Sequence, residues 1–158
     1  METEGSERES EAAGLSPTGP IIEFLLLADH AEAVNGKLYL MGGAWDRLVL
    51  SDFSQPQRFS LALGILVPWS ATDEQFHLTL VIENDDGKVL QTFDANVVQG
   101  RPPTAVPGQS FRALLALNGA MVIPAPGTYR VVARLSNGHQ KTTTFHASAL
   151  SPSPAPPA

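Results

Sequence analysis

The sequence predicts an all-β protein, an antiparallel β-sandwich of the Ig-like or C2-like kind with about seven or eight strands. Three observations predict it. Apolar residues alternate with polar or small ones in several stretches, the period of a half-buried strand. Turn residues such as Asn-Gly and Asp-Gly punctuate those stretches. Helical periodicity is confined to two short candidates, single turns at Asp29 to Val34 and at Ser70 to Gln75, the second with Thr72 as a possible cap.

Along the chain, Ile21 to Leu50 opens with an apolar run, turns at Asn35-Gly36 and breaks at Gly42-Gly43 before Trp45-Asp46-Arg47. The glycine pair suits a bend or bulge better than a phosphate loop, because no Lys-Ser/Thr follows it. Phe59, Leu61, Leu63, Ile65 and Val67 then take every second position, and Phe76, Leu78, Leu80 and Ile82 do the same. A four-residue loop at Asn84-Asp85-Asp86-Gly87 would set Glu83 against Lys88, Ile82 against Val89 and Leu78 against Phe93. Val89 to Val98 follows, then a proline-rich loop from Arg101 to Gly108, then the strand-like Ser110 to Asn118. Pro126-Gly127-Thr128-Tyr129-Arg130-Val131 reads as the entry to a late strand.

The last hairpin discriminates between registers. A two-residue Asn137-Gly138 loop places Arg130 opposite Phe145. A three-residue Ser136-Asn137-Gly138 loop places Tyr129 opposite Phe145 and Val131 opposite Thr143, and it needs only Gly138 in the left-handed region. The second register joins like with like and is the expected one. It leaves Lys141 facing Ala133, so Lys141 belongs near an edge with its amine in water.

Composition sets the domain limits. Residues 1–20 carry five Glu against one Arg, a local net of −4, and almost nothing apolar. Residues 148–158 are a Ser/Pro/Ala tract with four prolines. Neither segment supplies a core, so the expectation is a sandwich domain over 21–147 between disordered tails at 1–20 and 148–158.

Several function classes are disfavoured on the same grounds. Of the total charge of −6, most lies in the first twenty residues, and the rest is near neutral without a basic stripe, unlike a nucleic-acid binder. No apolar run is long enough for a membrane span. The first residues lack the basic and apolar regions of a secretory leader, and the chain has no cysteine, so a cytoplasmic location is expected. The four histidines, His30, His77, His139 and His146, show no metal-ligand spacing and read as surface residues. No serine sits in a nucleophile elbow. No catalytic residue, no cofactor and no metal site is expected. The calcium alternative rests on Asp85 and Asp86, which a self-bonded Asx turn explains as well.

The binding candidates are Trp45, Asp46, Arg47 and Trp69. Tryptophan and arginine concentrate at interaction hot spots, and both tryptophans follow sharp breaks, Gly42-Gly43 and Pro68. Trp45 serves equally well to close one end of a core, whereas Trp69 belongs in a polar, exposed loop.

The stretch Leu25-Leu26-Leu27-Ala28-Asp29-His30-Ala31-Glu32, followed by Asn35-Gly36-Lys37-Leu38-Tyr39 and Gly42-Gly43-Ala44-Trp45, resembles the opening of an uncharacterised family of small bacterial β-sandwich proteins, a domain of unknown function. The resemblance implies the sandwich fold over most of the body and no activity. The leading expectation is a non-enzymatic interaction module or assembly subunit, with a protein partner or self-association. The alternatives are a small-ligand or glycan-binding sandwich using Trp69 and the proline-rich loop, and a C2-like calcium module.

Overall fold

The computed structural model describes residues 18–152 and 154–158. The expectation of a disordered segment at 1–20 therefore lies almost wholly outside the described residues. Among those described, the strands are β1 (Ile21–Val34), β2 (Lys37–Gly43), β3 (Arg47–Leu50), β4 (Pro56–Val67), β5 (Gln75–Asn84), β6 (Val89–Val98), β7 (Phe111–Val122), β8 (Gly127–Leu135) and β9 (Gln140–Ala149). They form two sheets, β2-β1-β4-β7 and β3-β9-β8-β5-β6. Pairings are antiparallel except β3 with β9. The result is an Ig-like β-sandwich, and the short β3 is what brings the strand total to nine.

The core lies between the two inner faces. From β4 it takes Phe59, Leu61, Leu63, Ile65 and Val67, and from β5 Phe76, Leu78, Leu80 and Ile82, the two alternating sets. β4 is also buried on its outer face, where Ser60, Ala62 and Gly64 lie between β1 and β7. Phe24 of β1 lies over Gly64, where any Cβ would meet its ring. Small residues in the central strand thus let large neighbours fold across them.

The β8–β9 hairpin has the expected register. Tyr129 faces Phe145, Val131 faces Thr143, and Lys141 faces Ala133 while remaining exposed. The loop is closed by Leu135 N–H to the His139 carbonyl at 2.8 Å and Gly138 N–H to the Leu135 carbonyl at 2.9 Å, with Gly138 at φ 92°. The loop also anchors the start of β1: Asn137 Nδ2 donates to the Pro20 carbonyl at 2.8 Å, and Ile22 N–H to His139 Nδ1 at 3.1 Å. His139 is thus a half-buried structural acceptor rather than a plain surface residue.

Three expectations are corrected. In the β5–β6 hairpin, Glu83 faces Val89, Ile82 faces Gln91 and Leu78 faces Ala95. A bulge places Leu90 as the extra residue on β6, so Leu90 packs against the core while Val89 stays 51% exposed. Glu83 pairs with Arg130 on β8 at 3.0 Å instead of with Lys88. Second, Asp29 to Val34 is strand, because it pairs with Lys37 to Met41 across the Asn35-Gly36 turn. The other turn is a 3-10 turn at Trp69–Ala71, and the Thr72 hydroxyl closes its C-terminal end on the Trp69 carbonyl at 2.7 Å. Third, β9 runs to Ala149, two residues into the segment that composition gives to the tail. Ser148 and Ala149 pair with Val49 and Leu50, and Leu150 N–H donates to the Leu50 carbonyl.

Candidate functional site

The first candidate is Trp45. Gly42 (φ 55°) and Ala44 (φ 62°) turn the chain out of β2, and Ala44 N–H donates to the Leu27 carbonyl at 2.7 Å. This turn delivers Trp45 edge-on to Phe145, centroids 5.9 Å apart, and Phe145 stacks on Tyr129 at 5.3 Å. The Tyr129 hydroxyl donates to the Ala125 carbonyl at 2.6 Å. The indole Nε1 is buried without a partner among the described residues. Trp45 therefore closes the core. Asp46 offers its carbonyl to His146 N–H at 2.8 Å. Its carboxylate lies 3.9 Å from Arg47 Nε with both side chains open to water (74% and 84% exposed), an arrangement of little energetic weight.

Trp69 is half-buried in a different way. The Arg101 guanidinium sits 3.7 Å from its ring centroid. Arg101 is held there by the Trp69 carbonyl at 2.8 Å and by the Thr72 hydroxyl at 2.6 and 2.9 Å. Its own N–H donates to Asp73 Oδ1 at 3.1 Å, so the β6–β7 loop is stapled to the 3-10 turn. One face of the indole is already stacked.

The two tryptophans do not meet. Trp45 packs beside Tyr129, which pairs with Asn84 at the end of β5, whereas Trp69 precedes Gln75 at its beginning. A shared aromatic site is therefore not assembled.

Asp85 and Asp86 are exposed at the β5–β6 turn. Asn84 closes that turn by itself: its Oδ1 accepts Lys88 N–H at 2.8 Å, and its carbonyl accepts Gly87 N–H at 3.0 Å. No three His, Cys, Asp or Glu side chains gather as an ion site among the described residues.

Folding does assemble two groups that the sequence concealed. His77 on β5 reaches Asp94 Oδ1 through Nε2 at 2.9 Å and Asn96 Oδ1 through Nδ1 at 3.0 Å, and the Thr79 hydroxyl also donates to Asp94. Hydrogen bonds to Asn96 first and Asp94 second raise the His77 pKa, and His77 and Thr79 lower that of Asp94. Seventeen residues separate His77 from Asp94, so only the β5–β6 register could reveal the pair. The second group lines a cleft of about 360 Å³ where β1 leaves β4: Asp29, His30, Arg58, Ser60 and Asn118. There Asn118 Nδ2 donates to the Ala31 carbonyl at 2.9 Å, and its Oδ1 accepts Ala31 N–H at 3.3 Å. The amide acts as a surrogate strand for β1, and Ser60 Oγ donates to it as well.

The most exposed apolar feature is the edge strand β2. Tyr39, Leu40 and Met41 are 55%, 37% and 67% exposed. Ala31 turns its N–H and C=O toward Asn118, away from β2. In an antiparallel ladder its opposite number, Leu40, then also turns its own pair away, to the open edge. Leu38 shares that direction by the period of two.

A profile of a family of unknown function, DUF6941, matches residues 23–148. The chain belongs to that family. The match runs from β1 into β9, so the DUF6941 domain is the sandwich itself and includes the open β2 edge. No curated protein matches the chain. Among solved structures, it is similar to the CARDB domain of the PF1109 protein from Pyrococcus furiosus, determined in complex with di-metal ions. That likeness covers 87% of this chain and 100% of that one, at 11% identity and a TM-score of 0.40. No helix among the described residues is long and apolar enough to cross a membrane.

Proposed function

We propose that this DUF6941 domain is a non-enzymatic interaction module, or a subunit of an assembly, that engages protein through the open edge of β2. The observation that carries this reading is the exposure of Tyr39, Leu40 and Met41 on a strand whose outward backbone groups have no ladder partner among the described residues. Natural sheets protect such edges with charge, proline or brevity. Of the four edge strands among the described residues, β6 carries Thr92, Asp94 and Asn96 and β3 is four residues long, whereas β7 has charge only at Arg112 and β2 only at Lys37, at its turn. Of these two open edges, β2 is the one that exposes Tyr39, Leu40 and Met41 together. Strand addition at such an edge takes affinity from main-chain hydrogen bonds and specificity from side chains. A cytoplasmic setting is part of the proposal and is consistent with the absence of cysteine.

The glycan-binding alternative has less support, because Trp69 is stacked on Arg101 and far from Trp45. The calcium alternative has only Asp85 and Asp86 on one self-bonded turn. The test is affinity capture from the native host with the wild-type chain and with Leu40→Lys, Met41→Glu and Trp69→Ala, each first shown to unfold like wild type. The reading expects the two β2 variants to lose specific partners and Trp69→Ala to keep them. Loss through Trp69→Ala alone would move the surface to the other end of β5.

A further inference from the structure

We infer that Asn35 is a site of self-modification. In the folded chain its side-chain amide is converted, without an enzyme, to aspartate and isoaspartate, while the other Asn-Gly pairs are spared.

The dipeptide sets the chemistry, and asparagine is among the thermally labile residues. The backbone nitrogen after an asparagine can attack its side-chain carbonyl carbon, and a glycine there has no side chain in the way. The nitrogen gives its proton to water and bonds to Cγ, and the Cγ–Nδ2 bond breaks with Nδ2 leaving as ammonia. Water then opens the cyclic imide. Opening at Cγ leaves aspartate, and opening at the backbone carbonyl leaves isoaspartate, in which the chain runs through the side chain. The balance is one water in and one ammonia out.

Three Asn-Gly pairs occur, Asn35-Gly36, Asn118-Gly119 and Asn137-Gly138. Folding separates them. At Asn137-Gly138 every reacting group is engaged. The attacking nitrogen of Gly138 donates to the Leu135 carbonyl at 2.9 Å. Asn137 Nδ2 donates to the Pro20 carbonyl at 2.8 Å, and Oδ1 accepts His139 N–H at 3.0 Å. Asn118 is held as firmly: Nδ2 donates to the Ala31 carbonyl at 2.9 Å, and Oδ1 accepts Ala31 N–H and the Ser60 hydroxyl. Its backbone lies in the ladder with β4, where Asn118 faces Ser60 and Gly119 faces Phe59. Ring closure at either pair must first break these bonds.

Asn35-Gly36 has no such ties. With φ of 50° and 71° the pair forms the tight left-handed hairpin turn that Asn-Gly favours. Neither the Asn35 amide nor the Gly36 N–H has a hydrogen-bond partner among the described residues. Ala33 to Lys37 are exposed, and the space where a Cβ of Gly36 would lie is empty. Loop tips are also where local opening costs least. Both products place a new carboxylate at this tip. Isoaspartate also adds a backbone carbon to a turn whose length sets the pairing of Val34 with Lys37, and so of β2 with β1. The site stands on its own geometry, whereas any effect on partner capture rests on the reading of β2 as the interaction edge.

The test compares wild-type chain kept folded at mildly alkaline pH with the same chain unfolded in urea, both in heavy-oxygen water. Peptide mapping by mass spectrometry and labelling by an isoaspartyl methyltransferase read each pair. The unfolded sample should convert at all three pairs. The folded sample, its far-ultraviolet dichroism unchanged, should convert at Asn35 alone, with solvent oxygen in the new carboxylate and a rate that rises with pH. Folded Asn35→Gln should show no conversion. If Asn35 stays intact over the time that converts the unfolded chain, or if Asn118 or Asn137 reacts as fast as Asn35 in the folded one, the inference is overturned. Weaker capture of host proteins by the aged, folded chain is the outcome that the β2 reading expects. Unchanged capture counts against that reading and leaves the modification site standing.

Discussion

Gly64 occupies the middle of β4 on the face away from the core, and the ring of Phe24 fills the space where its Cβ would be. Gly64→Val should therefore cost about 1–3 kcal/mol in urea unfolding through overpacking. Combining it with Phe24→Ala should cost less than the sum of the two changes, since the clash is what they share. Asn118 acts through the backbone instead. Its amide satisfies Ala31 on both sides where β4 no longer can, and it receives the hydroxyl of the buried Ser60. Asn118→Ala should cost about 1–2 kcal/mol. Hydrogen exchange should show the Ala31 amide losing protection ahead of the rest of β1.

At the level of the element, the β5–β6 hairpin sets the charge behaviour of one face. Each ring nitrogen of His77 lies within hydrogen-bond distance of an oxygen, Nδ1 of Asn96 and Nε2 of Asp94, an arrangement that favours the imidazolium because it alone donates from both nitrogens. Its raised pKa means that its contribution is full below the unfolded histidine value and is lost as pH rises through the folded one. Asp94, with a lowered pKa, contributes fully above its unfolded value and loses that as pH falls through the folded one. Both are in force between about pH 4 and about pH 6.5. The effect on stability should be small, because the pair faces water. NMR titration should show Asp94→Asn lowering the His77 midpoint. The other element with a checkable consequence is β9. Removing residues 151–158 should leave the melting temperature unchanged, whereas ending the chain at Ala147 removes the Ser148 and Ala149 pairing with β3 and should cost more than about 1 kcal/mol.

The molecule as a whole is cross-tied between its sheets. The β8–β9 loop holds the start of β1, the turn at Ala44 carries the chain from β2 to β3, and Trp45 packs on Phe145 of the opposite sheet. One core shared by both sheets predicts a single cooperative transition, with tryptophan fluorescence and far-ultraviolet dichroism coinciding in denaturant. Non-coincident curves would mean that one sheet unfolds without the other.

Strand identity and the β8–β9 hairpin were legible in the residues alone. Alternation is local, and Gly138 with Asn137 specifies its turn within three residues, so no distant contact was needed to choose the pairing of Tyr129 with Phe145. The β5–β6 register was not legible, because its bulge depends on Leu90 finding the core, a choice made by packing rather than by the Asn84 to Gly87 turn. The tryptophans show the same division. Their positions after chain breaks marked them as notable, but only the assembled sheets placed Trp45 on Phe145, stacked Trp69 against Arg101 and set the two at opposite ends of β5. The open edge of β2 is tertiary for the same reason. Nothing local marks the residues between the Asn35-Gly36 turn and the Gly42-Gly43 break as an edge, and which strand is left at an edge is decided by sheet order, through contacts between segments far apart in the chain.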